Sequence, residues 1–209
     1  MSETAAASAT RSVSAAWSAT SGHSAQYTTG PRSTAIRPRA AATRELQPGD
    51  VGPAGGLIFY VNPEFTRDGW RYLEAAPVDQ SAGAKWGCFR RVITSAKGTA
   101  VGTGRQNTAD MLAACTEHGT AAELCAHYVL NGVGGWFLPS RDELRLMYRD
   151  LKAPGMGDFR DSGLSDNCEY WTSSQETADM AWHLDFADAG RQHYDDKDFP
   201  RRVRAIRTL

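Results

Sequence analysis

The chain has 209 residues, 41% of them hydrophobic, and a formal net charge of -1. That length accommodates one domain plus an appendage. The near-neutral balance argues against nucleic acid as a partner, and no apolar run reaches the length of a membrane span. The start of the chain lacks a basic segment followed by an apolar one, so no ordinary secretory signal is expected.

Residues 1–44 form a segment of different composition. Ala, Ser and Thr make up 27 of these 44 residues, with five Arg and one acidic residue, about +4 against about -5 for the remainder. Such a segment has too little apolar surface to offset the entropy of ordering. It reads as a disordered tail, and residues 45–209 as the domain.

Order begins near "LQPGDVGPAGGLIFYVN". Leu57 to Val61 is a short apolar run of strand character, and Asn62-Pro63 closes it. Asp68-Gly69 predicts a hairpin turn into a second, antiparallel strand over Trp70 to Ala76. Further on, "GTAVGTGRQNT" looks superficially like a phosphate loop, but no Lys follows the last Gly. The dinucleotide spacing of glycines is also missing. A glycine-rich turn into a helix is the better reading, with Thr108 as N-cap for a helix over Ala109 to Glu117. Thr120 and Glu123 make a capping-box pattern for a second helical piece, ending at Asn131-Gly132. His118 and His127 read as surface or half-buried residues, because no second ligand lies at useful spacing.

Four cysteines, Cys88, Cys115, Cys125 and Cys168, form no CxxC pair and no zinc-finger spacing. They permit three full pairings. With no export signal, buried free thiols are expected in preference to disulfides.

The stretch "GGWFLPSRDEL", Gly134 to Leu144, carries the clearest local instructions. Trp136-Phe137-Leu138 predicts a short buried strand. Pro139 stops it. Ser140 and Glu143 form a second capping box, and Leu144, Met147, Tyr148 and Leu151 then line one helical face. Asp142 and Glu143 could be imagined as catalytic carboxylates, but capping accounts for both.

In the last third, 155–169 reads as a loop and Tyr170-Trp171-Thr172 as strand. Met180, Trp182, Leu184 and Phe186 alternate with Ala181, His183 and Asp185, a half-buried strand. Ala189-Gly190 marks a turn. "RQHYDDKDF" reads as a loop displaying Arg191, Gln192, His193, Tyr194, Asp195, Asp196 and Asp198, suited to ligand contact or simply solvated. Its carboxylates do not match a calcium-loop spacing. Arg202 to Arg207 is the last strand. No nucleophile elbow, metalloprotease helix or zinc-deaminase motif is present, so neither a metal nor a cofactor is expected.

In order, "GDVGPAGGLIFYVN", "YLEAAP", "GTGRQNTADML", "NGVGGWFLPSRDELRLMY", "YWTSSQ", "AWHLDF" and "VRAIR" together resemble the bacterial domain family DUF1566, also called the Lcl C-terminal domain after a collagen-like adhesin. The resemblance covers about residues 47–209. It implies an α+β, C-type-lectin-like fold with small twisted antiparallel sheets and two to three helices, in which the terminal strands, 57–61 and 202–207, are neighbours. It also implies a bacterial surface or extracellular setting, and a non-enzymatic module that binds a glycan or protein. The polar and aromatic composition of the segment 182–198, with the loop at 155–169, gives the candidate ligand surface, with Trp182, His183, Asp185, Arg191, His193, Tyr194, Asp195 and Asp196 as its ligand-binding residues. A related class comprises variable proteins of diversity-generating retroelements, whose rewritten residues would lie where His183, Asp185, Arg191, His193, Tyr194 and Asp195 stand. The fold is shared with formylglycine-generating enzymes, which use a cysteine pair with copper; the four cysteines here map onto no part of that site. The chain also lacks collagen-like repeats.

Overall fold

A computed structural model describes residues 44–160 and 168–209. The expected tail, apart from Arg44, and positions 161–167 of the expected loop lie outside the described residues. The domain is mixed α+β, with few helices and two small sheets.

The first strands form as expected. Strand β1, Leu57–Val61, pairs antiparallel with β2, Tyr72–Ala75. The connection is longer than a tight turn. It contains one helical turn, α1 (Phe65–Asp68), which Gly69 closes at φ 76°. Asn62, nearly buried, holds this loop: its Oδ1 accepts from Glu64 N (3.0 Å), while its Nδ2 donates to Asp68 (3.0 Å) and Trp70 O (3.1 Å).

Strand β3, Ser81–Ala84, opens the second sheet. Three helices follow: α2 (Gly104–Ala114), α3 (Ala121–Ala126) and α4 (Arg141–Met147). A π-helical turn at Tyr148–Lys152 extends α4. Helix α2 starts earlier than expected. Thr108 is buried inside it as a stitch, donating to Gly104 O (2.8 Å) and accepting from Leu138 N (3.0 Å). Gly104 is required there, since a Cβ would lie 2.2 Å from Glu143 Oε2. Thr120 caps α3, but the Glu123 carboxylate binds Gly119 N and His118 Nδ1 instead of closing the box. The helix stops at Ala126. Asn131 and Gly132, at φ 50° and 77°, form a separate turn bridged by Leu130 and Val133. The Ser140–Glu143 capping box of α4 is complete.

Strands β4 (Glu169–Gln175), β5 (Met180–Asp185), β6 (Arg191–Asp196), β7 (Arg201–Val203) and β8 (Ile206–Thr208) complete the fold. One sheet has the order β1-β2-β8, the other β3-β7-β4-β5-β6. The segments 57–61 and 202–207 are therefore not direct neighbours, because β2 lies between β1 and β8. The expected last strand is also split between the sheets. Arg204 explains the break: it is buried at the crossing, bonding Asp79 (2.6 Å), Ala76 O (3.0 Å) and Gly157 O (2.8 Å). The sheets are not wholly antiparallel either, since β4 and β7 run parallel at Tyr170 and Arg202.

Trp136-Phe137-Leu138 is buried and extended, but it joins no sheet beyond one bridge from Phe137 to Ile206. Its alternation feeds two cores. Trp136 and Leu138 enter the core around Trp86, Met111 and Trp171; Phe137 enters the one around Phe59, Leu144, Tyr170 and Phe186. The cysteine expectation is overturned in part. Cys88 and Cys115, with Cα atoms 5.5 Å apart, form a disulfide. The fold brings the end of α2 against the 88 loop, which 27 residues of spacing could not disclose. Cys125 keeps its thiol, and burial pushes its pKa well up, away from the reactive thiolate.

Candidate ligand-binding surface

The segment 191–196 is not a loop. It is β6, the edge strand of the five-stranded sheet, paired to β5 throughout: Trp182 faces Tyr194, His183 faces His193, and Asp185 faces Arg191. Polar side chains tolerate this position because the backbone ladder with β5 stabilises the strand, while one edge stays in water. The structure thus brings the eight expected residues onto one hairpin. It also divides them between two faces, because side chains alternate along a strand.

One face carries His183, Asp185, Arg191, His193 and Asp195. Here His183 is only 2% exposed. It stacks on His193 (5.8 Å between centroids) and meets Trp171 edge-on. Burial, then Arg201 and His193, lower its pKa to about 3, so the ring is neutral. The Glu169 carboxylate lies 3.8 Å from His183 Nδ1, beyond hydrogen-bond reach, and is engaged by Arg201 at 3.2 Å. Arg201 also pairs with Asp195 at 2.6 Å and lies over the Trp171 ring. Glu169, Asp195, Phe199, Pro200 and Arg201 line a cleft of about 420 Å³.

The opposite face carries Trp182, Tyr194 and Asp196. Trp182 and Tyr194 meet edge-on at 5.2 Å. The Arg141 guanidinium, at the start of α4, lies over Trp182 at 5.0 Å. The indole N–H donates to Glu176 at 2.7 Å. Trp182 is thus held on three sides, and Tyr194 stands 51% exposed beside it. Met180, on the same face by register, is also exposed.

Several expected site residues turn out to hold the fold. His183 is buried. Asp185 Oδ1 accepts from Ala187 N (2.8 Å) and Asp188 N (3.3 Å), shaping the β5–β6 turn. Asp196 Oδ1 accepts from Asp198 N (2.9 Å). Asp195 is bound to Arg201. Trp182, Arg191, His193 and Tyr194 remain available to a ligand. Strand β5 is half-buried as expected, though burial does not follow the alternation of side-chain type: Ala181, His183 and Leu184 are buried, Trp182 is half-buried and Met180 is exposed. Sequence reasoning missed Arg141 and Glu176, which flank Trp182. Both are far from it in the chain or beyond a turn, so no local pattern marks them.

Lys197 was likewise unforeseen. It is buried, with its ammonium donating to Arg91 O (3.0 Å), Gln175 Oε1 (2.8 Å) and Ala178 O (2.8 Å) above the Trp86 ring. Burial lowers its pKa to about 8. It ties the end of β6 to the core. Two further clefts lie near Asp79: one of about 420 Å³ with Phe159, Arg160, Arg202 and Arg204, and one of about 550 Å³ with Leu124, His127 and Tyr128. No helix among the described residues is long and apolar enough to cross a membrane. No known protein family matches the chain, and no curated protein matches it.

Proposed function

We propose that the chain is a non-enzymatic ligand-binding module of the DUF1566, C-type-lectin-like kind. It takes a glycan or a protein on the Trp182–Tyr194 side of the β5–β6 hairpin. The observation that carries this reading is the braced aromatic pair: Trp182 fixed by Arg141, Glu176 and Tyr194, with Tyr194 half in water. Aromatic side chains give large contact area at small entropic cost, and charged neighbours orient a ligand's polar groups. The pair stands on paired strands, which position side chains better than a loop does. The ordered series of sequence motifs supports the same assignment.

Glycan arrays and protein pull-downs test it, with Trp182→Ala and Tyr194→Ala as controls. A ligand should be captured by the parent chain and lost by both variants while their melting midpoints stay close to the parent's. Capture that survives both substitutions would place the site elsewhere. A second reading, a variable protein of a diversity-generating retroelement, is favoured by the exposure of Arg191, His193 and Tyr194 on a hairpin whose ladder does not depend on their identity. A near-copy of the coding 3′ end beside a reverse transcriptase gene would support it. A genomic locus with neither would remove it.

A further inference from the structure

We propose that β6 pairs antiparallel with β6 of a second copy of this chain, joining two five-stranded sheets edge to edge about a two-fold axis. Strand β6 ends its sheet, and the orientation of its backbone can be derived. Trp182 O accepts from Thr172 Oγ1 (2.8 Å) and Phe186 N donates to Cys168 O (3.0 Å), so the even positions of β5 face β4. Its odd positions therefore face β6, as the bond from Lys197 N to Asp179 O (2.9 Å) also requires. In register, Arg191, His193 and Asp195 turn their N–H and C=O toward β5. Gln192, Tyr194 and Asp196 turn theirs outward. Asp196 is already used, its C=O by Phe199 N (3.0 Å) and its N–H by Asp195 Oδ1 (2.7 Å). The open edge is thus a short stretch centred on His193, with the N–H and C=O of Gln192 and Tyr194 directed into water.

An antiparallel copy placed with His193 opposite its equivalent sets Gln192 opposite Tyr194 of the second copy. Every open backbone group then finds a reciprocal partner, as two-fold symmetry requires. The same register sets Arg191 opposite Asp195 of the second copy, twice. Opposite charges directly across a pair of strands attract. Slipping by one pair in one direction would set Arg191 opposite Lys197, whose side chain is buried in the core and offers no carboxylate. Slipping the other way would set Arg191 opposite His193, with no carboxylate to meet. One register is therefore selected. Charged residues usually protect an edge from foreign strands. Here the signs sit at mirror positions about His193, so the same charges that repel other strands favour a second copy. Arg191, with its side chain 64% exposed and paired to Asp188 at 3.0 Å, can swing across.

The inference stands apart from the ligand reading: a dimer without a ligand, or a ligand bound by a monomer, leaves the other claim intact. Sedimentation velocity of the full chain from micromolar to millimolar concentration tests it. The parent should pass from monomer to dimer, less readily as salt rises. Gln192→Pro removes one outward N–H and no intrachain ladder bond. Arg191→Glu sets a carboxylate opposite Asp195. Each should raise the dimer dissociation constant at least about tenfold, with melting midpoints measured alongside. Should Gln192→Pro fail to fold, Arg191→Glu alone decides, since its side chain lies largely in water. A parent chain that stays monomeric at millimolar concentration, or a dimer that both variants leave intact, overturns the proposal.

Discussion

Replacing Glu143 by Gln separates the effects of burial and hydrogen bonding on one carboxyl group. Glu143 is wholly buried, and its oxygens accept from Ser140 N (2.7 Å) and Gly102 N (2.8 Å). Those bonds favour the charged form, but burial outweighs them and raises the pKa from 4.5 to about 7. Between these values the folded chain holds a proton that the unfolded chain has released. The stability this provides is fully present below pH 4.5, declines as pH rises, and is gone above about pH 7. At about 1.4 kcal/mol per pH unit, the loss amounts to about 3 kcal/mol. The amide of the Glu143→Gln variant cannot titrate. It also faces an N–H with its own NH2 group, a cost of about 1–3 kcal/mol that does not vary with pH. Urea titrations followed by tryptophan fluorescence, at steps from pH 4.5 to 8, give the stability of each form. The parent should lose about 3 kcal/mol relative to the Glu143→Gln variant across that window. A difference that stays constant, or that grows in the parent's favour as pH rises, would overturn this account and show that the backbone donors dominate.

Trp136→Ala should cost about 3–5 kcal/mol, because it empties a core site and abandons the indole bond to Val133 O (2.9 Å); chemical denaturation measures it. Reducing the Cys88–Cys115 disulfide should destabilise by about 3–4 kcal/mol, the entropy of closing that loop; paired denaturation curves with and without reductant, repeated on the Cys88→Ser, Cys115→Ser double variant, check it. His183 has its pKa depressed from 6.5 to about 3, so stability present above pH 6.5 drains away as pH falls toward 3. His183→Phe removes that loss, and its acid-unfolding midpoint should lie at lower pH than the parent's; an unchanged midpoint would mean His183 is not held neutral.

The candidate site was half legible in the sequence. Trp182, Arg191, His193 and Tyr194 stand out as polar and aromatic residues near the end of the chain, and the fold exposes or half-exposes them. The error at 191–196 came from reading polarity as a loop. Apolar alternation detects a strand only where one face is buried. An edge strand such as β6 is held by its backbone ladder to β5, which leaves little trace in side-chain type. In β5 burial does not follow the alternation of side-chain type, since the core reaches Ala181 and His183 as well as Leu184, and water reaches Met180. Arg141, supplied by the first turn of α4, could not be foreseen as the brace of Trp182.

Short-range chemistry is written in the order of the residues and needs no fold to be read. The Ser140–Glu143 capping box, the stop at Pro139, the apolar face of α4 and the hairpin of β1 and β2 each follow from hydrogen bonds, excluded dihedral angles or periodicity within a few residues. Folding alone settled the disulfide between positions 27 apart, the crossing at Arg204 held by Asp79 from 125 residues away, and the neutral His183 beneath its sheet. Those features depend on burial and on partners assembled from distant segments, and neither exists until the two cores have closed.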